Sequence, residues 1–134
     1  WASLTVFSGV LILTALLLQA VLFQFGGFTV LGVNAFTMGF SSVLAWYCYR
    51  GIIGIWPGPT GIRAAAFCGG ALGVALAAAL TALALAFTSE GFQTAAQLLL
   101  WAHLPVMLAE GLITMFTVVF IQRVRPEMFQ AARA

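Results

Sequence analysis

Long apolar runs, separated by short glycine-rich or polar stretches, dominate the chain. The first run covers residues 1–24 and carries only serine, threonine and glutamine as polar residues. A stretch of about 20 mostly apolar residues is long enough for a helix to cross the hydrocarbon core of a bilayer. The run therefore predicts a membrane-spanning helix that ends at Phe25-Gly26-Gly27.

The next apolar run predicts a second helix. Residues 28–34 combine Gly32 with mostly apolar side chains, which predicts irregular backbone folded against the end of the bundle. Asn34 is the only asparagine of the chain. Its side chain can accept hydrogen bonds from free N–H groups at a helix start, so we predict Asn34 as the N-cap of a helix that ends near Arg50. The glycines and prolines between Arg50 and Arg63 predict a break between helices.

A row of small residues marks the third predicted helix, which covers residues 64–87. Ala65, Gly69, Gly73 and Ala77 repeat at every fourth position. Small residues on one face allow a neighbouring helix to come close. The row could serve packing within the bundle or contact with a partner subunit, and we slightly favour internal packing.

The last apolar segment, residues 92–122, is too long for one crossing. We predict a short surface helix over residues 92–100, followed by a spanning helix over residues 104–122 with Pro105 in its first turn. The predicted fold is a single all-α transmembrane domain over residues 1–134. It is a polytopic bundle of four spanning helices plus a short outer surface helix.

The composition supports a membrane location and excludes several functions. The chain is 63% hydrophobic and 6% charged, with a mean hydropathy of +1.13. It contains no lysine and no aspartate, which excludes Schiff-base cofactors, a phosphate-binding loop lysine and aspartate proton relays. The net charge of +2 comes from a few arginines and does not indicate nucleic-acid binding.

The arginines predict the orientation in the membrane. Arg50 and Arg63 flank the second connection, and Arg123, Arg125 and Arg133 follow the last helix. The positive-inside rule therefore predicts a cytoplasmic C-terminus, with the two arginine-free connections outside. The chain starts directly in an apolar run without methionine, which suggests the C-terminal fragment of a larger membrane protein. If that protein starts outside, an odd number of crossings, such as three, precedes these four.

Glu110 is the candidate for chemistry, because an unpaired carboxylate within a spanning helix costs several kcal/mol. His103 precedes it by two turns and Thr114 follows by one, so all three share a helix face. Asn34 and Glu90 are expected at the same outer end. These residues predict a mildly acidic pocket open to the outside, for which a cation is the natural ligand. Alternatively, Glu110 bonds to the backbone of other helices or is protonated.

The chain by itself lacks the donors of a transition-metal site. It has one histidine, whereas such metals take about four nitrogen or sulfur ligands. Cys48 and Cys68 lack CxxC spacing and are expected to be small core residues. No HExxH, GxSxG or paired-carboxylate pattern is present, so an enzyme is disfavoured.

Several motifs, in this order along nearly the whole chain, resemble the CbiM/NikM family of substrate-binding membrane components of energy-coupling-factor (ECF) transporters. The motifs are Leu-Leu-Leu-Gln-Ala at 16–20, Phe-Gly-Gly at 25–27, Leu-Gly-Val-Asn at 31–34, Met38, His-Leu-Pro at 103–105, Glu-Gly-Leu-Ile-Thr at 110–114 and Arg-Val-Arg-Pro-Glu at 123–127. The family has seven crossings, and the resemblance places this chain at the last four.

The resemblance implies uptake of Co²⁺ or Ni²⁺ as the transported substrate, with no permanently bound cofactor. It implies a location in the prokaryotic cytoplasmic (inner) membrane. The implied partners are a transmembrane coupling subunit, ABC-type ATPase subunits and often a small accessory membrane subunit. ATP hydrolysis belongs to those ATPases, and imported cobalt feeds cobalamin biosynthesis.

The resemblance also implies where the metal ligands lie. In the family, a Met-His N-terminus and an upstream histidine hold the metal, and these positions have no counterpart in this sequence. The residues that carry over are expected to position that metal-binding loop without ligating the metal: Gly26, Gly27, Asn34, His103 and Glu110. The competing interpretation is a structural or assembly subunit of a membrane complex, without a ligand of its own.

Overall fold

The described part of the protein consists of helices joined by short turns, without a strand. A computed structural model describes residues 2–22 and 30–127, with side chains from residue 10 onward in the first helix. The elements in chain order are α1 (Ala2–Leu22), α2 (Leu31–Ile55), α3 (Pro59–Thr88), a 3-10 turn (Glu90–Phe92) and α4 (Gln93–Val124). The predicted all-α class is confirmed. Gly26 and Gly27 lie outside the described residues.

Helix α3 occupies the centre of the arrangement. It packs against both α2 and α4, while α1 packs against α2. A short turn joins α2 to α3 and the 3-10 turn joins α3 to α4, so consecutive helices run antiparallel. One end of the bundle therefore carries the start of α2 and the 3-10 turn, and we call it the Glu90 end. The opposite end carries the α2–α3 turn, and we call it the Gly58 end.

Small residues bring α3 close to α2. A Cβ atom added at Gly69 would lie 3.6 Å from the carbonyl oxygen of Ala45, and one added at Gly73 would lie 3.7 Å from the Ala45 Cβ. Ala65 has no exposed surface. The row predicted from the sequence therefore lies against α2 at Gly69 and Gly73.

The contact between α3 and α4 is closer still. A Cβ atom added at Gly70 would lie 2.5 Å from Thr114 Oγ1 and 2.8 Å from the backbone oxygen of Glu110. One added at Gly111 would lie 2.8 Å from the Phe67 ring. Each glycine thus admits part of the facing helix into space that any other residue would fill. Neither residue belongs to the small-residue row identified in the sequence.

The start and end of α2 differ from prediction. The helix begins at Leu31, and the Asn34 N–H donates to the Val30 carbonyl at 2.9 Å. Asn34 is therefore already inside the first turn and is not the N-cap, which is Val30 without a side-chain bond. The helix also continues past Arg50 to Ile55, because both glycines in this stretch adopt helical geometry.

Helices α3 and α4 also begin earlier than predicted. Helix α3 starts at Pro59, which occupies the first turn after Gly58 at φ 126°, a conformation that favours glycine. Helix α4 is continuous from Gln93 to Val124 and includes Pro105. The predicted separate surface helix over residues 92–100 is wrong. The proline removes one N–H donor but does not end the helix, as is common in membrane helices.

Within residues 2–22 and 30–127, two helices have the length and apolar character to cross a membrane. They are Pro59–Thr88, with a mean hydropathy of 2.2, and Glu90–Val124, with 2.1. The apolar helix Val10–Leu22 is shorter. The count of four crossings stays a prediction.

Small side chains provide most of the core, as is typical of helix contacts in lipid. The buried apolar residues among those described are Leu16 and six alanines, Ala20, Ala65, Ala66, Ala78, Ala82 and Ala96. Large apolar side chains such as Phe87 and Phe116 are exposed. Cys48 is half-buried, but Cys68 is exposed, so its predicted place in the core is wrong.

The glycine contacts predict opposite effects for two adjacent substitutions. We expect Gly70→Ala to destabilise the protein by about 1–3 kcal/mol, because its Cβ would collide with the backbone of α4. Gly69→Ala makes ordinary contacts and should be neutral or slightly stabilising, because alanine favours helix by about 1 kcal/mol over glycine. Thermal unfolding in detergent measures both. Equal midpoints for the two variants would contradict the packing described for α3 and α4.

Candidate functional site

His103 lies in the first half of α4, and a hydrogen bond holds its ring in place. Its Nδ1 is 2.7 Å from the backbone oxygen of Leu99, one turn earlier. Because a carbonyl oxygen only accepts, Nδ1 donates the hydrogen bond in this contact. The side chain is half-buried. The bond fixes the orientation of the ring, as hydrogen bonds to one ring nitrogen do for histidines at metal sites.

Glu110 lies near the middle of α4 with an exposed side chain. Its position, 17 residues after Gln93, places it about 25 Å along the helix at 1.5 Å per residue. Within the part of the chain that the structure describes, its carboxylate has no hydrogen bond or ion pair. The sequence placed Glu110 about a turn and a half from the helix start, and the earlier start of α4 makes it much deeper.

The other candidate residues lie at the Glu90 end. Asn34 is half-buried in the first turn of α2, and Glu90 is exposed in the 3-10 turn. Within the described ranges, no three His, Cys, Asp or Glu residues group closely enough to hold a metal ion. Glu90 and Glu110 are therefore separated in depth, and the predicted acidic pocket is not formed by them.

An open groove, which the sequence analysis missed, runs along α3 between α2 and α4, and we call it the α3 groove. Its volume is about 450 Å³. Gly73 and Ala77 form part of its floor, Trp46 belongs to the α2 wall, and Thr114 and Val118 belong to the α4 wall. In the sequence, the row of small residues on α3 was the only sign of this groove. Hydropathy alone does not show that α2 and α4 leave part of α3 uncovered.

Basic residues gather at the Gly58 end of the bundle. Arg50 and Arg63 are exposed near the α2–α3 turn, and Arg123 is in the last turn of α4. The Arg50 guanidinium lies 5.0 Å from the centre of the Trp46 ring, a cation–π geometry. Arg125 pairs with Glu127 at 3.6 Å in an exposed position. The two ends of the bundle therefore differ in charge.

Comparison with known proteins identifies similar sequences. Residues 4–128 match the CbiM family, described as "Cobalt uptake substrate-specific transmembrane region". The chain is 34% identical over 131 residues to a protein of Methanocorpusculum labreanum named as cobalt transport protein CbiM 1, covering 92% of this chain and 56% of that protein. It is 32% identical over 117 residues to a Haemophilus influenzae protein named as a metal transport protein, covering 87% of this chain and 57% of that protein.

A second M. labreanum protein, named as cobalt transport protein CbiM 2, is 32% identical over 123 residues, covering 86% of this chain and 52% of that protein. No solved structure matches the chain. The chain spans about half the length of the curated relatives that it matches. Because the family match covers nearly every residue, this all-helical membrane chain belongs to the CbiM family.

Proposed function

We propose that this chain is part of the substrate-specific membrane component of an ECF-type transporter that imports Co²⁺. The family match over residues 4–128 carries this proposal. The relatives named for cobalt and metal transport support it. Ni²⁺ is the alternative substrate, and imported cobalt would supply cobalamin biosynthesis. The chain has no catalytic function in this proposal.

In this proposal, residues of this chain support the metal site and do not bind the metal directly. The described residues hold one histidine and no group of three possible ligands. In the proposal, Gly26, Gly27, Asn34, His103 and Glu110 position the metal-binding segment. The fixed ring of His103 supports this role, because its Nε2 is oriented by the bond from Nδ1 to Leu99.

The architecture that we propose is a seven-helix protein in the prokaryotic cytoplasmic membrane, with residues 1–134 as a single domain forming its C-terminal portion. The basic Gly58 end would face the cytoplasm, together with the C-terminus. The proposed partners are a transmembrane coupling subunit, ABC ATPase subunits that hydrolyse ATP, and a small accessory membrane subunit. The Glu90 end would face outward.

A second candidate is a structural or assembly subunit without a ligand of its own. The open α3 groove favours this alternative, because a scaffold that receives other helices needs such a surface. Metal-dependent uptake together with stimulation of a partner ATPase would separate the two functions. A scaffold alone gives neither.

Metal titration tests the proposed function first. We expect the metal-free protein produced from the complete gene to bind a single Co²⁺ per chain, and the 134-residue chain alone to bind none, because it lacks a ligand set. Isothermal titration in the same detergent measures both. If neither protein binds Co²⁺ or Ni²⁺, the transport proposal fails. If the 134-residue chain binds Co²⁺ by itself, His103 and Glu110 become candidate ligands.

Substitutions test the supporting role of His103 and Glu110. In the protein from the complete gene, we expect His103→Ala and Glu110→Gln each to weaken Co²⁺ affinity by about 10- to 100-fold, because losing a group that orients a ligand has effects of this size. Glu127→Gln is the matched control, since Glu127 is exposed near the chain end. Unchanged Co²⁺ affinity and uptake in the first two variants would show that His103 and Glu110 do not support the site.

A further inference from the structure

We infer that the α3 groove binds an apolar membrane helix from the part of the CbiM fold that has no counterpart in these 134 residues, and that this helix places a hydrogen-bond donor against Glu110. The inference rests on the larger architecture proposed above. It does not depend on which metal is carried, or on whether any metal is bound.

The shape of the groove suits a helix. Gly73 and Ala77 leave the floor without large side chains, and a Cβ added at Gly73 would meet only Ala45, at 3.7 Å. Trp46 on one side and Thr114 on the other form raised walls. Floors of small residues allow helix backbones to approach closely in lipid, where close packing drives helix association.

Glu110 supplies the second reason for an occupant. It lies one turn before Thr114 and two turns before Val118, so it continues the row of α4 residues that line the groove. Its exposed carboxylate has no partner within the described residues. Lipid tails offer no hydrogen-bond donor, and a carboxylate facing them at this depth is costly. A neighbouring helix with a polar or basic side chain removes that cost.

The relatives are long enough to supply such a helix. The matched region covers 56%, 57% and 52% of the three relatives, so each has nearly as much sequence again outside it. That is enough for several helices of about 20 residues. A second copy of this chain fits less well, because its described arginines lie near the Gly58 end and not at the depth of Glu110.

Photo-crosslinking identifies the occupant directly. We place benzoylphenylalanine at Val118, on the groove wall, in the protein from the complete gene within its native membranes. The control is Phe116, which is two residues away on the opposite, exposed side of α4. Val74 on the groove floor is a second site if the Val118 variant fails to fold.

We expect Val118 and Val74 to capture a peptide from the family region outside the present match, and Phe116 not to capture it. Mass spectrometry of the cross-linked peptides identifies the partner. A cross-link to a second copy of residues 1–134, to lipid alone, or to the same peptide from Phe116 would overturn the inference. Metal titration of the same samples tests the transport proposal separately. If the expected cross-link forms but no metal binds, the inference about the groove holds and the transport proposal fails.

Glu110 is tested by two substitutions in the same experiment. Gln keeps an oxygen acceptor, so we expect Glu110→Gln to retain the Val118 cross-link. Glu110→Leu leaves the facing donor unpaired and should reduce the cross-link yield roughly five-fold or more. Equal yields in the two variants would show that Glu110 does not fix the position of the helix.

Discussion

The close approach of α3 to both neighbours is the constraint on which the rest of the structure depends. At Gly70, a single added carbon would lie 2.8 Å from the α4 backbone, so the two helices meet almost at backbone contact. In lipid, apolar side chains gain little from meeting one another rather than lipid tails. Helix association must then come from close packing, and small residues on two adjacent faces of α3 provide it, once against α2 and once against α4.

Polar side chains follow a consistent rule in this apolar setting. Ser41 donates to the Thr37 carbonyl at 2.6 Å, and Thr81 donates to the Ala77 carbonyl at 2.8 Å. Such bonds to the preceding turn satisfy hydroxyl groups without a partner helix. No buried side-chain nitrogen or oxygen among the described residues lacks a hydrogen bond. Glu110 stands apart because a carboxylate accepts only and cannot use the carbonyls of its own helix.

The sequence predicted the parts of the fold that depend on composition. Long apolar runs gave the all-α class, and the four-residue spacing of Gly69 and Gly73 marked a face that packs against α2. Element ends were less predictable. Asn34 and Pro105 are common at helix starts, yet both lie inside helices here. In each case the long apolar stretch around the residue continues as one helix through the local signal.

The site could be predicted only as a set of residue types. The depth of Glu110 depends on where α4 begins, and moving that start from residue 104 to Gln93 shifts Glu110 by about three turns. The role of Gly70 could not be predicted either, because it depends on which α4 residue faces it. Periodicity identifies a helix face, whereas the partner of that face follows from the packing of the whole bundle.

In the proposed transporter, the scarcity of ligands in this chain would determine how it contributes to metal selection. A nitrogen-rich site requires several donors in a fixed geometry, and the described chain offers only His103, with its ring oriented by Leu99. In the proposed transporter the metal ligands come from elsewhere in the fold, and the His103 ring helps to hold them in position. The close contacts of α3, together with a groove that positions an added helix, would hold the ligands in a fixed position relative to the His103 ring. Small residues that lie far from any ligand would then influence metal binding, because they determine how closely and where the added helix packs.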